Sequence, residues 1–264
     1  MEKAREDVAR TGLDALKGHG FALAGASASE LHGLISRPTR DLDLFTNLLD
    51  KGRFEQALQD LTAAYRTEGS SVRTVQQSDV FARLEITTTS GAVVPVDIAV
   101  DWRAYQPAQF DVGPVLDERD AAASKIDAVM SRSLPRDFLD VDSIRNDGRF
   151  TDDKLLELTA YRFGSSFDRA ELGFALRQVM RVRPEDVAEY GVDPRALDQI
   201  KLRLVEWAET VSPPGPGDID ITAARAVIDA DRPGLGTVRP APTSMAAGAR
   251  PYSPARDNAR GYSR

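Results

Sequence analysis

The stretch Phe21–Thr46, FALAGASASELHGLISRPTRDLDLFT, constrains this chain more than any other. A short apolar strand, Phe21 to Ala24, runs into small residues at Gly25, Ala26 and Ser27, which read as a turn. A short helix is expected from Ala28 to about Leu34, then a basic loop with Arg37, Thr39 and Arg40, then a second strand carrying Asp41 and Asp43. Alternate residues of a strand share a face, so Asp41 and Asp43 point one way while Leu42 and Leu44 turn into the core. Two carboxylates roughly 7 Å apart on a rigid strand repel unless a cation lies between them. A hard divalent ion with oxygen ligands, Mg²⁺ near a phosphate, is the usual solution. Small residues upstream let a backbone approach a phosphate, and the N–H groups that open a helix can receive it. Asp-x-Asp alone is common at solvated strand ends; the strand–turn–helix–basic loop–strand context gives this one its weight.

A third carboxylate is expected on the strand Val93–Val100. Val94, Val96, Ile98 and Val100 form one face, and Asp97 lies on the other with Val93, Pro95 and Ala99. A carboxylate inside so apolar a strand needs something to neutralise it. Asp97 is thus the natural third metal ligand, set against a reading as a carboxylate on a solvated face; Asp101 is the fallback.

Composition narrows the alternatives. A chain of 264 residues holds one large or two small domains. No cysteine is present, which excludes disulfides, thiolate metal sites and cysteine nucleophiles. Two histidines, His19 and His32, leave little room for a histidine metal site or a Ser-His-Asp triad. A net charge of −7 argues against extensive nucleic-acid binding but permits a local arginine patch. No long apolar run or apolar signal core is seen, so no membrane association and a cytoplasmic location are expected.

Elsewhere the periodicity predicts helices at 2–17 and 51–66 and strands at 72–76 and 80–89, with a turn at Ser90-Gly91. Residues 102–117, with Pro107 and Pro114, read as a loop and as the boundary between two domains. A helix at 118–131 carries Lys125 among Ala121, Ala122, Ala128 and Val129, which puts it on the buried face, its ammonium turned to an anion or to a domain interface. Pro135 suits the first turn of a further helix, and Asp137 its positive end. Asp137 and Asp140 share a face of that helix, and a salt bridge of Arg136 with Asp140 is one reading of the pair. Helices follow at 152–162, 168–181, 184–190 and 194–211, with Leu155, Leu158, Phe174, Leu176, Leu197, Ile200, Leu204 and Trp207 as core residues. Pro213-Pro214-Gly215-Pro216-Gly217 breaks the chain before a last helix at 220–230. Residues 233–264, rich in Pro, Gly, Ser and Arg, read as a disordered tail.

Two of these segments resemble a known family. Gly25-Ala26-Ser27-Ala28-Ser29 followed by Arg37-Pro38-Thr39-Arg40-Asp41-Leu42-Asp43-Leu44 is similar to the opening motif of the nucleotidyltransferase superfamily (DNA polymerase beta-like), and more narrowly of the AbiEii/AbiGii toxins. Lys125, Arg132, Arg136, Asp137 and Asp140 stand at the positions of that family's second signature. The resemblance spans about residues 20–145 and departs at Ala26, where the family has Gly or Ser; Ser27 is the nearest hydroxyl.

The resemblance implies an α/β (α+β) fold: a small mixed-sheet nucleotidyltransferase domain at 1–113 followed by a helical domain at 114–232. It implies an NTP-dependent nucleotidyltransferase with Mg²⁺ or Mn²⁺ on Asp41, Asp43 and Asp97, and with Lys125 among the catalytic residues. The nucleotide would meet Gly25, Ala26, Ser27, Arg37, Thr39, Arg40 and Lys125, with Arg136, Asp137 and Asp140 in support. The implied setting is the toxin of a toxin–antitoxin or phage-defence system, with an RNA acceptor such as a tRNA 3′ end and a cognate antitoxin as partner. A transferase acting on a small molecule or protein, and a degenerate protein that binds nucleotide or a partner without catalysis, are the alternatives.

Overall fold

A computed structural model describes residues 1–48 and 50–213 of the chain. A seven-stranded mixed sheet forms its centre, with strand order β3-β4-β5-β2-β1-β7-β6. Helix α1 (Lys3–Ala15) leads into β1 (Phe21–Ala24), all four residues of which are buried. Helix α2 (Gly25–Leu31) begins three residues earlier than the sequence suggests: Gly25, Ala26 and Ser27 are its first turn, not a separate loop. Strand β2 (Leu42–Thr46) runs antiparallel to β1, and α3 (Lys51–Thr67) follows, capped by Asp50, which accepts from the Arg53 amide.

Strands β3 (Ser71–Gln77), β4 (Phe81–Thr87) and β5 (Val93–Val100) form an antiparallel meander. Strand β5 then lies parallel to β2, so a meander returns beside the opening motif. Alternation sorts the two faces. Leu42, Leu44, Leu84, Val96 and Ile98 are fully buried. Leu44 lies against α1 beside Gly12, and the Tyr65 hydroxyl of α3 donates to the Val8 carbonyl of α1 at 3.0 Å. Asp43 and Asp97 are on the opposite face.

Residues 102–117, expected as loop, contain a hairpin, β6 (Ala108–Phe110) and β7 (Gly113–Val115). Strand β7 adds to the sheet parallel to β1, and the Leu116 amide continues the ladder onto the Leu23 carbonyl at 2.8 Å. Strands of three residues are too short to show alternation, and Pro114 hides this one further. The position 113/114 therefore falls inside β7.

Helices α4 (Glu118–Ser131), α5 (Pro135–Asp147), α6 (Asp152–Phe163), α7 (Arg169–Arg177) and α8 (Pro194–Val211) complete the described chain. Asp117, Thr151, Asp168 and Asp193 cap four of them through their side chains. The expected helix at 184–190 is instead two 3-10 turns, Pro184–Asp186 and Ala188–Tyr190, interrupted at Val187. Phe174, expected in the core, is 48% exposed, whereas Leu172 and Leu176 on the same helix are fully buried. Buried residues of the sheet and the helices join in one continuous hydrophobic cluster. The helix expected at 220–230, the break at 214–217 and the tail at 233–264 lie outside the described residues.

Candidate active site

The parallel pairing of β2 and β5 puts Asp43 directly opposite Asp97, and the antiparallel pairing of β4 and β5 puts Arg83 opposite Asp97. Residues in register face the same way, so Arg83, Asp97 and Asp43 form a row across three adjacent strands. Asp41, immediately before β2, joins them at the edge of a cleft of about 640 Å³. Asp41 and Asp43 thus share the cleft with Asp97, on its floor, and the dry side of β2 carries Leu42 and Leu44.

Asp43 is held in conflict. Burial, and then the charge of Asp41, push its carboxyl up to about 7; Asp97 adds to this, while Lys125 and Arg132 oppose it. Its partner-strand neighbour is better served: Arg83 donates to both oxygens of Asp97, from Nε at 2.7 Å and Nη2 at 2.6 Å. Asp41 accepts from the Thr39 hydroxyl at 3.1 Å.

Gly25 explains the small residue that opens the motif. Its φ is +56°, and a Cβ there would lie 1.8 Å from Asp43 Oδ2. The position is small because the carboxylate fills the space and because the backbone is left-handed. Ala26 lines the cleft, but Ser27 is fully buried, and its hydroxyl donates to the Asp41 carbonyl at 3.2 Å. Ser27 therefore braces the two strands of the motif and presents no hydroxyl to the cleft.

The opposite wall is basic. Lys125 of α4 and Arg37 of the loop before β2 converge on Asp140 of α5, which is fully buried. Lys125 Nζ lies 2.9 Å from Oδ2; Arg37 forks onto both oxygens at 2.5 and 2.7 Å. Burial alone would raise Asp140, but Lys125 and Arg37 hold its carboxyl below the ordinary range. Arg37 also stacks over the Tyr190 ring, 5.3 Å from its centre. Asp137 accepts the Arg132 guanidinium at 2.8 and 2.9 Å and the Leu134 amide at 3.2 Å, so it ties the end of α4 to the start of α5. The salt bridge suggested for Arg136 and Asp140 is not formed, because Asp140 is already taken. Arg136 lines the cleft with no hydrogen bond or ion pair among the described residues. Arg40, largely exposed at the mouth, lies 3.4 Å from Glu189.

Asp101, the fallback ligand, is engaged by Arg162, whose Nη2 is 2.9 Å from both of its oxygens. Arg162 also donates to Asp127 at 2.7 Å. Arg83, Arg162, Asp127 and Tyr190 are cleft residues that the sequence did not single out. Only Arg83 left a trace, as a polar residue alternating with Ala82 and Leu84 on β4.

The donor chemistry fits a hard divalent cation: oxygen ligands alone, with a carboxyl whose proton affinity is raised by its own neighbours. No group of three or more His, Asp or Glu side chains closes round one point among the described residues, and Arg83 engages both oxygens of Asp97. No helix among them is long and apolar enough to cross a membrane.

A family model described as nucleotidyl transferase AbiEii toxin, type IV toxin–antitoxin system, matches residues 9–193. Among solved structures, a candidate nucleotidyltransferase from H. pylori is 14% identical, with 80% of this chain and 96% of that one covered and a TM-score of 0.50. JHP933 from Helicobacter pylori is 15% identical over 85% and 95%, with a TM-score of 0.49. MenT4, a nucleotidyltransferase toxin from Mycobacterium tuberculosis, is 14% identical over 84% and 91%, with a TM-score of 0.48. No curated protein matches the chain.

Proposed function

This chain belongs to the AbiEii nucleotidyltransferase toxin family, and on that premise we propose that it transfers a nucleoside monophosphate from an NTP to a hydroxyl of an RNA acceptor, such as a tRNA 3′ end. The observation that carries this reading is the Asp43–Asp97 register, which sets an acidic floor against a wall bearing Lys125, Arg132 and Arg136. A cleft polarised in this way suits a metal-bound triphosphate: cation toward the floor, phosphate oxygens toward the wall.

Asp41 and Asp43, with Asp97 beside them, would hold Mg²⁺ or Mn²⁺. When bound, such an ion neutralises phosphate charge and stabilises the departing pyrophosphate. The protein's own residues do the rest. Arg136, without a partner among the described residues, and the neighbouring Lys125 offset the triphosphate charge. Asp140 holds Lys125 and Arg37 at fixed positions, so neither must be ordered when substrate arrives. The acceptor oxygen forms a bond to the α-phosphorus while the bond from that phosphorus to the bridging oxygen breaks, and pyrophosphate leaves with the electron pair. The hydroxyl proton passes to a carboxylate of the acidic floor. In the cell the protein would act as the toxin of a type IV toxin–antitoxin pair, with a cognate antitoxin as partner.

The test is label transfer. The full chain is incubated with each α-labelled NTP, Mg²⁺ and total cellular RNA, beside Asp43→Asn. Label should appear in RNA with the native protein and not with the variant. Label on protein or on a small molecule would overturn the RNA acceptor, and nucleotide bound without transfer would overturn catalysis.

A further inference from the structure

We infer that Trp102 and Tyr161 form a stacking platform at the rim of the cleft for the bases of a single-stranded RNA acceptor. The inference deepens the transfer to RNA proposed above and rests on it. Trp102 follows β5 directly, and Tyr161 lies near the end of α6. Their rings meet edge to face, 5.5 Å between centres. Yet Trp102 is 41% exposed and Tyr161 53%. Buried aromatic rings rank among the largest apolar contributions to a core, so a touching pair left in water is unusual. Helix α6 does not need Tyr161 for packing, because Leu155, Leu156 and Leu158 already form its inner face.

The platform is fastened to the active cleft. Arg162, next to Tyr161, donates to the Trp102 carbonyl at 3.0 Å, to Asp101 at 2.9 Å and to Asp127 at 2.7 Å. Arg162, Asp101 and Asp127 all line the cleft that holds Asp43 and Asp97. One buried guanidinium therefore fixes both aromatic residues relative to the site. It also offsets part of the charge of the two carboxylates, Asp101 and Asp127, that face a passing phosphate backbone. Asp101 is four residues beyond Asp97 along an extended chain, about 13 Å. A strand whose terminal hydroxyl reaches the floor would carry its next few bases to this rim.

The chemistry selects nucleic acid over protein. Stacking on aromatic rings holds unpaired bases with little regard to sequence. The centre of a protein–protein interface is depleted of charge, whereas this pair stands directly beside the ionic cluster of Asp101, Arg162 and Asp127.

Tryptophan emission reads the contact directly. The chain has two tryptophans, and Trp207 is 1% exposed, so quenching by a stacked base reports on Trp102. The full chain is titrated at low salt with a single-stranded RNA hexanucleotide and with the same sequence as duplex. The single strand should quench emission and the duplex should not. Trp102→Ala and Tyr161→Ala should each bind the hexanucleotide roughly tenfold more weakly, while Trp102→Phe keeps most of the affinity and NTP binding by calorimetry is unchanged in all three. Both side chains are largely exposed, and circular dichroism checks that the variants fold. Unchanged RNA affinity in both alanine variants, or an altered sedimentation mass without an altered RNA affinity, would overturn the platform. Quenching by RNA without label transfer would leave the platform standing and remove the transferase reading; undiminished transfer by the double alanine variant would do the reverse.

Discussion

Two aspartates, one half-buried on the floor of the cleft and one fully buried behind its basic wall, have been treated in opposite ways. Asp140, in the helical wall, has a cation on each side, and its carboxyl is held below the ordinary range. Asp43, on the sheet floor, faces two like charges, and its carboxyl is pushed up to about 7. A buried charge that is fully paired organises the chain around it; one left in repulsion is incomplete without something from outside. The difference separates scaffold from site more sharply than burial does. It also explains why Lys125 and Arg37, both drawn from the sequence as nucleotide contacts, have their first obligation to Asp140.

Replacing the two residues should break them apart experimentally. The largest effect is expected for Asp43→Asn, which should lower label transfer on the order of 10³-fold or more, since it removes several kcal/mol of metal-borne stabilisation. The same change should raise stability at pH 8. Asp43 binds its proton more tightly folded than unfolded, from a reference of 3.8 to about 7. Its contribution therefore weakens as pH rises from about 4 to 7 and stays unfavourable above, by up to about 4 kcal/mol. Calorimetry at pH 8 should show a melting temperature several degrees higher for the variant; a lower one would mean that Asp43 is scaffold after all. Asp140→Ala should do the opposite. It leaves Lys125 and Arg37 buried without a counter-charge and should cost about 3–5 kcal/mol in denaturant unfolding. A variant as stable as the native protein would dissolve the distinction.

The smallest effect sharpens the comparison further. A metal ion binds the ionised carboxylate, so Mn²⁺ affinity should rise by up to about tenfold per pH unit below 7 and level off above it. The Asp43→Asn variant should show no such slope. Titrating Mn²⁺ by calorimetry between pH 5.5 and 8 tests both statements.

Much of this organisation was legible in the chain. Strand β5 at Val93–Val100 and helix α4 at Glu118–Ser131 fall where the apolar pattern put them, because both elements are long and strongly patterned. The meeting of Asp43 with Asp97 needed more, since parallel pairing between segments over fifty residues apart leaves no local mark. An anomalous acid within an apolar strand, together with the family resemblance, points to it. Arg83 could not be found that way. On β4 it is one polar residue in a regular alternation, and only the register shows that it faces Asp97. The hairpin at 108–115 escaped because each strand is three residues long, and the 3-10 turns at 184–190 because one or two turns carry no periodicity. Ser27 was misplaced for another reason: its residue type suits phosphate, but its helix starts at Gly25 and rotates the hydroxyl onto the Asp41 carbonyl.

The contact between Gly25 and Asp43 has a consequence for how such a chain can change over generations. Because a Cβ at 25 would intrude on the carboxylate itself, the two positions do not vary independently. Substitution at 25 meets two barriers, the carboxylate at 43 and the left-handed backbone, and a lineage that surrendered the acid would remove only the first.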